Sequence, residues 1–177
     1  MDTKDKILNS YLLLGQRNGF LSVSLSQVSE MAGIKKATLF SHFKDKEELI
    51  NQAIDKCLKT LDKAEFNIDF KAKDREELFV GLINSFTDIF TEAPVSALLS
   101  YAEQLRSVDE RALKLSEDID RIITSRLLVA LDYCVQRSWS SIDYTDALAE
   151  ILCPNVRNMI NGFTDQETFI DNLLQLI

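Results

Sequence analysis

The stretch SLSQVSEMAGIKKATLFSHF, residues 24–43, decides the fold. Ser24 and Gln27 stand three apart, the spacing of a capping box: the hydroxyl takes a backbone N–H and the amide side chain reaches back to the cap. A helix opening there turns Val28 and Met31 inward before Gly33 breaks it. Gly33-Ile34 supplies a turn, and residues 36–43 read as a second helix of about two turns, with Leu39 and Phe43 as core pegs at i, i+4. Two short helices joined by a glycine turn have the geometry of a helix-turn-helix.

Upstream, Ile7, Leu8, Tyr11, Leu12 and Leu14 give a first helix its apolar face, with Gly19 as the stop and Phe20 as a buried anchor. Downstream, Asp45 with Glu48 opens a long helix over residues 46–66, whose stripe is Leu49, Ile50, Ala53, Ile54, Cys57, Leu58 and Leu61. Residues 67–73 read as a linker. Further helices are predicted over 74–90, 94–106, 110–136, 144–161 and 166–176. No run alternates with period two, and only five Gly and two Pro occur, so the expectation is an all-α chain of about nine helices. The predicted division is a head over residues 1–45 and a second helical domain over 46–177.

The net charge is -8, from 20 Lys+Arg and 28 Asp+Glu. Residues 1–50 carry a balance of +1, so the acidity lies in the remainder of the chain. Any phosphate contact by the N-terminal region is then local and salt-sensitive. The start, MDTKDK, has no apolar stretch, and no apolar run is long enough to span a bilayer, so a cytoplasmic chain with no membrane partner is expected. Cys57, Cys134 and Cys153 are widely spaced without a CxxC pair, and His42 is the one histidine. These residues predict buried thiols, no metal site and no cofactor. Neither GxGxxG, a P-loop, HExxH nor GxSxG occurs, and Glu117, Asp118 and Asp120 read as a solvated face, so no enzyme is expected.

The run Gly19-Phe20, Ser24, Val28, Ala32-Gly33-Ile34, Lys36, Thr38-Leu39-Phe40, His42-Phe43 and Lys46-Glu47-Glu48-Leu49 resembles the N-terminal signature of the TetR family of transcription regulators. The resemblance covers about residues 6–50. It implies a three-helix DNA-binding head followed by a helical ligand-binding and dimerisation domain. It further implies a homodimeric repressor on palindromic operator DNA, released by a small apolar or aromatic effector. The contrasting reading is a helical interaction or sensor module that has lost operator binding.

The residue roles follow where this chain matches the pattern. Lys36, Ala37, Thr38 and Phe40 would lie on the recognition helix, His42 at its end towards a phosphate, and Ser24 and Lys46 at the DNA backbone. Lys35 and Lys36 would reach guanine edges or phosphates, or else form ordinary solvated surface, and His42 would alternatively be a half-buried helix-end residue. Glycine at position 37 and tyrosine at position 40 are common in the family, so Ala37 and Phe40 are departures. An effector pocket is expected from Phe66, Phe86, Phe90, Leu98, Tyr101, Leu105, Leu128 and Tyr133, each of which core packing would equally explain. Leu148, Ile151, Leu152, Val156, Ile160, Phe169 and Leu173 are the expected dimer seam, on the last two helices.

Overall fold

A computed structural model describes residues 2–177. Among them stand nine α-helices and no strand: α1 Thr3–Asn18, α2 Leu25–Met31, α3 Lys36–His42, α4 Lys46–Leu61, α5 Arg75–Thr91, α6 Val95–Leu105, α7 Glu110–Gln136, α8 Thr145–Ile160 and α9 Gln166–Leu176. The all-α expectation holds, and the head has its three helices.

Local chemistry sets these boundaries. The α1 helix stops at Gly19, whose φ of 86° favours glycine. The α2 helix opens on the expected capping box: Gln27 N donates to Ser24 Oγ at 3.3 Å and Ser24 N donates to Gln27 Oε1 at 2.8 Å. Gly33, at φ 68°, makes the turn that follows, and Ile34 N closes it onto Ser29 O at 3.0 Å. At α4, Asp45 Oδ1 accepts from Glu48 N at 2.8 Å while Glu48 Oε2 accepts from Lys44 N at 2.7 Å.

Two boundary details differ from the sequence expectation. Met31 is exposed, whereas Val28 is fully buried. Three residues on an α-helix rotate a side chain about 60° away from its predecessor's direction, and at the last residue of α2 the chain is already leaving. The α4 helix ends at Leu61, short of Phe66. Asp62, Lys63 and Glu65 are exposed and give the apolar stripe no continuation, and tight turns close instead from Lys63 N to Thr60 O and from Ala64 N to Leu61 O.

The chain forms two compact units. The first runs to Ala64 and includes Glu92–Ser116. In its core Ile7, Tyr11, Phe20, Val28, Leu39, Phe43, Leu49 and Ala53 are buried with Leu98, Tyr101 and Ala102 of α6, and α6 packs on α1 and α4. The second unit comprises Glu65–Thr91 and Glu117–Ile177. There α5 packs on α8 and α9, with Phe79, Leu82, Ile83, Phe86, Leu152, Val156 and Leu173 buried.

The second unit also holds an ion pair that periodicity did not anticipate. Arg157 of α8, with its side chain only 7% exposed, donates from Nη1 to Asp120 Oδ1 at 2.5 Å. Asp120 accepts this bond with its side chain still 45% exposed, and Asp118, 39% exposed, pairs with Arg121 at 2.7 Å. A buried guanidinium needs such a partner, because desolvating an unpaired charge costs several kcal/mol. The three cysteines are buried and free. Burial pushes the Cys57 thiol up to about 12 and those of Cys134 and Cys153 up to about 11, which removes thiolate reactivity at neutral pH.

Candidate nucleic-acid interface

The α3 helix divides its side chains cleanly. Leu39 is 0% exposed, and Phe43, its C-cap, is 1% exposed. On the other side Lys35, Lys36, Ala37 and Phe40 are all exposed, with Thr38 and His42 half-buried at the edges. A two-turn helix anchored by two apolar pegs thus presents a cationic, sterically open ridge. The Lys36 ammonium lies 6.0 Å from the Phe40 ring centroid, within range of a cation–π attraction that limits its wandering. Phe40 offers that ring without a hydroxyl, as the sequence requires.

The flanking helix ends bear the backbone candidates. Ser24 is exposed at the N-cap of α2, its hydroxyl engaged with Gln27 Oε1 at 2.8 Å. Lys46 begins α4, and its Nζ lies 3.4 Å from Leu21 O, in the turn between α1 and α2. His42 tilts against Phe43, with ring centroids 6.5 Å apart, and Lys4 of α1 sits 5.9 Å from the Phe43 centroid. The eight residues singled out in sequence therefore fall on α3 or at helix starts and ends around it.

A cluster that sequence reading missed adjoins the start of α4. Arg111 Nη1 donates to Glu47 Oε1 at 2.6 Å and to Asn51 Oδ1 at 2.8 Å. The same guanidinium grips Asp109, Nε to Oδ1 at 3.1 Å and Nη2 to Oδ2 at 2.8 Å. Tyr101 OH donates to Asp109 Oδ2 at 3.0 Å. Hydrogen bonding from Arg111 holds the Asp109 carboxyl down at about 2, while burial foremost raises the Tyr101 phenol. No local pattern signals this cluster, since Glu47 and Arg111 are 64 residues apart.

The expected pocket residues meet different fates. Leu98, Tyr101 and Leu105 are buried in the first unit, where Tyr101 stacks edge-on against Phe20 at 5.2 Å. In the second unit Phe66, Phe86 and Phe90 form an aromatic cluster, with centroid separations of 5.5, 6.0 and 6.4 Å. Leu128 is half-buried, and Tyr133 leans on Phe70 and Trp139 at 5.0 and 5.8 Å. Of the expected seam, Leu148, Leu152, Val156, Phe169 and Leu173 are buried within the single chain, Ile160 is half-buried, and Ile151 is 63% exposed.

Comparison with known proteins bears on both the head and the whole fold. Residues 13–53 match the family model of bacterial regulatory proteins, tetR family. The biofilm operon icaADBC HTH-type negative transcriptional regulator IcaR of Staphylococcus epidermidis is 28% identical over 74 residues, a match covering 42% of this chain and 37% of that relative. The fold is shared over nearly the full length with three solved structures. A TetR-family regulator from Agrobacterium tumefaciens has a TM-score of 0.71 at 19% identity, covering 99% of this chain and 97% of that one. The TetR-family regulator PfmR from Thermus thermophilus has a TM-score of 0.69 at 20% identity, with 99% and 95% covered. The fatty acid degradation regulator FadR from Bacillus halodurans has 0.68 at 16% identity, with 99% and 94% covered.

The first three helices thus make a helix-turn-helix head, the class of module that places a short helix in the major groove of DNA. By sequence the head matches the tetR family of bacterial regulatory proteins over residues 13–53, and the whole chain shares its fold with solved TetR-family regulators.

Proposed function

We propose that the chain works as a homodimeric repressor that binds palindromic operator DNA through α3 and is released by a small apolar or aromatic effector. The observation that carries the DNA reading is the division of α3, where Leu39 is 0% exposed while Lys35, Lys36, Ala37 and Phe40 stand clear of the core. Lys35 and Lys36 reach guanine edges or phosphates, Thr38 reads a base, and Ser24, His42 and Lys46 set the register on the backbone. The negative regulator named above, similar over the head, supports repression as the default output. On this reading residues 1–45 are the DNA-binding domain and 46–177 the effector and dimerisation domain, acting in the cytoplasm.

Two recognition helices can occupy successive major grooves only about 34–36 Å apart, so reading a palindrome requires two copies. The seam is assigned to α8 and α9 through side chains not consumed by the chain's own core: Ile151, 63% exposed, and Leu176, 55% exposed. The aromatic cluster of Phe66, Phe86 and Phe90 is the favoured effector contact, because clustered, mutually tilted rings in a helical domain suit an apolar or aromatic guest. Effector and operator then oppose one another reciprocally. Selection of bound duplexes from a random pool is expected to return a near-palindrome, and light scattering a dimer at micromolar concentration. Binding indifferent to sequence and salt, or a monomer, overturns the proposal.

A further inference from the structure

The start of α4 is crowded with carboxylates for a DNA-facing segment. Asp45, Glu47 and Glu48 stand against Lys44 and Lys46. Asp45 and Glu48 are occupied by backbone N–H groups, Asp45 capping Glu48 N and Glu48 accepting from Lys44 N. Glu47 has no such capping duty, and its side chain is 65% exposed in the first helical turn, directly after Lys46. A bare carboxylate there would oppose a phosphate held by Lys46.

Its partner is the guanidinium of Arg111 at 2.6 Å, and the aim of that guanidinium is set from behind. Asp109 holds it through two nitrogens, at 3.1 and 2.8 Å. Asp109 is itself fixed by Tyr101 OH at 3.0 Å and by the Arg111 backbone N–H at 2.9 Å. That grip leaves Nη1 to reach α4, where it meets both Glu47 and Asn51. All of these residues belong to the first unit.

We propose that Arg111 is a positioning residue for the DNA interface: held by Asp109 and Tyr101, it neutralises Glu47 beside Lys46 and so keeps the start of α4 compatible with phosphate. The inference rests on the operator-binding reading above. It assigns an electrostatic part in DNA affinity to a residue far outside the helix-turn-helix. A purely mechanical tie between α4 and the start of α7 is the competing explanation, and charge and salt separate the two.

The test is a double-mutant cycle on the duplex that the wild-type protein enriches from a random pool, read as affinity across salt concentrations, with thermal melts confirming folding. Arg111→Gln is expected to weaken binding roughly three- to tenfold at low salt and progressively less as salt rises, because an exposed charge is screened. Adding Glu47→Gln, which removes the charge but keeps the acceptor oxygen, is expected to restore affinity to within about twofold of wild type. Arg111→Lys, which keeps the charge without the fork, is expected to fall between Arg111→Gln and wild type. A loss that ignores salt and persists in the double variant overturns the inference in favour of a mechanical tie, and no loss in Arg111→Gln overturns it outright. Lys36→Ala is the control: if it weakens binding while the Arg111 cycle is flat, only this inference fails. A wild-type protein that enriches no duplex defeats the operator reading and this inference with it.

Discussion

Gly15 makes room for Phe20. A Cβ at position 15 would lie 2.1 Å from both Cδ1 and Cε1 of the Phe20 ring and 2.7 Å from Cγ. The ring cannot step aside, since it is 2% exposed and flanked by Tyr11 at 5.7 Å and Tyr101 at 5.2 Å. Gly15→Ala should gain about 1 kcal/mol in helix propensity yet lose more through overpacking, which typically costs about 1–3 kcal/mol and more where backbone must shift. The expected outcome is a net loss of stability, measured as a lower urea midpoint with an unchanged slope.

Ser24 closes the capping box of α2 in both directions. Ser24→Ala removes the hydroxyl that Gln27 N donates to and should cost about 1 kcal/mol, while Ser24→Asp or Ser24→Asn should retain most of that contribution. Urea denaturation of the three variants checks this ranking.

Lys36 and Thr38 are expected to fail differently. Lys36→Ala should weaken binding to all duplexes alike and reduce the slope of log affinity against log salt by about 1, if its ammonium meets a phosphate. Thr38→Ala should leave the salt slope unchanged and relax the preference at one base pair, by about 1–3 kcal/mol at most. Binding titrations against the selected site and single-position variants of it measure both effects.

Asp109 makes stability depend on acid. Its carboxyl sits at about 2 in the folded chain, chiefly through the Arg111 hydrogen bonds, against an ordinary 3.8. The folded value is the lower one, so the contribution is complete above pH 3.8 and is lost as pH falls towards 2. The stability gap between wild type and Asp109→Asn should therefore be level from neutral pH down to about pH 5 and shrink below about pH 4. Urea midpoints across that range are the measurement.

The helix-turn-helix was legible because its signals are local. Ser24 with Gln27, Asp45 with Glu48 and Leu39 with Phe43 are three or four residues apart, and a helix brings such pairs together before any tertiary contact forms. Gly33 was legible for the same reason, since its positive φ is a property of one residue. The end of α4 was less so: Phe66 continues the apolar spacing in the sequence, but the exposed Asp62, Lys63 and Glu65 leave nothing for a further turn to bury.

Sequence by itself determined that the described residues form helices and no strands, that Ser24 and Asp45 cap α2 and α4, and that residues 24–43 form a helix-turn-helix with one anchored and one exposed face. Only the tertiary structure decided which apolar residues are core. Tyr101 has the composition of a pocket residue but spends its ring on Phe20 and its hydroxyl on Asp109. It also decided that Arg157 is buried against Asp120 and that Arg111 reaches Glu47 across 64 residues. Caps and periodicity act over one helical turn, whereas ion pairs and ring stacking between distant segments exist only once the chain has closed those loops.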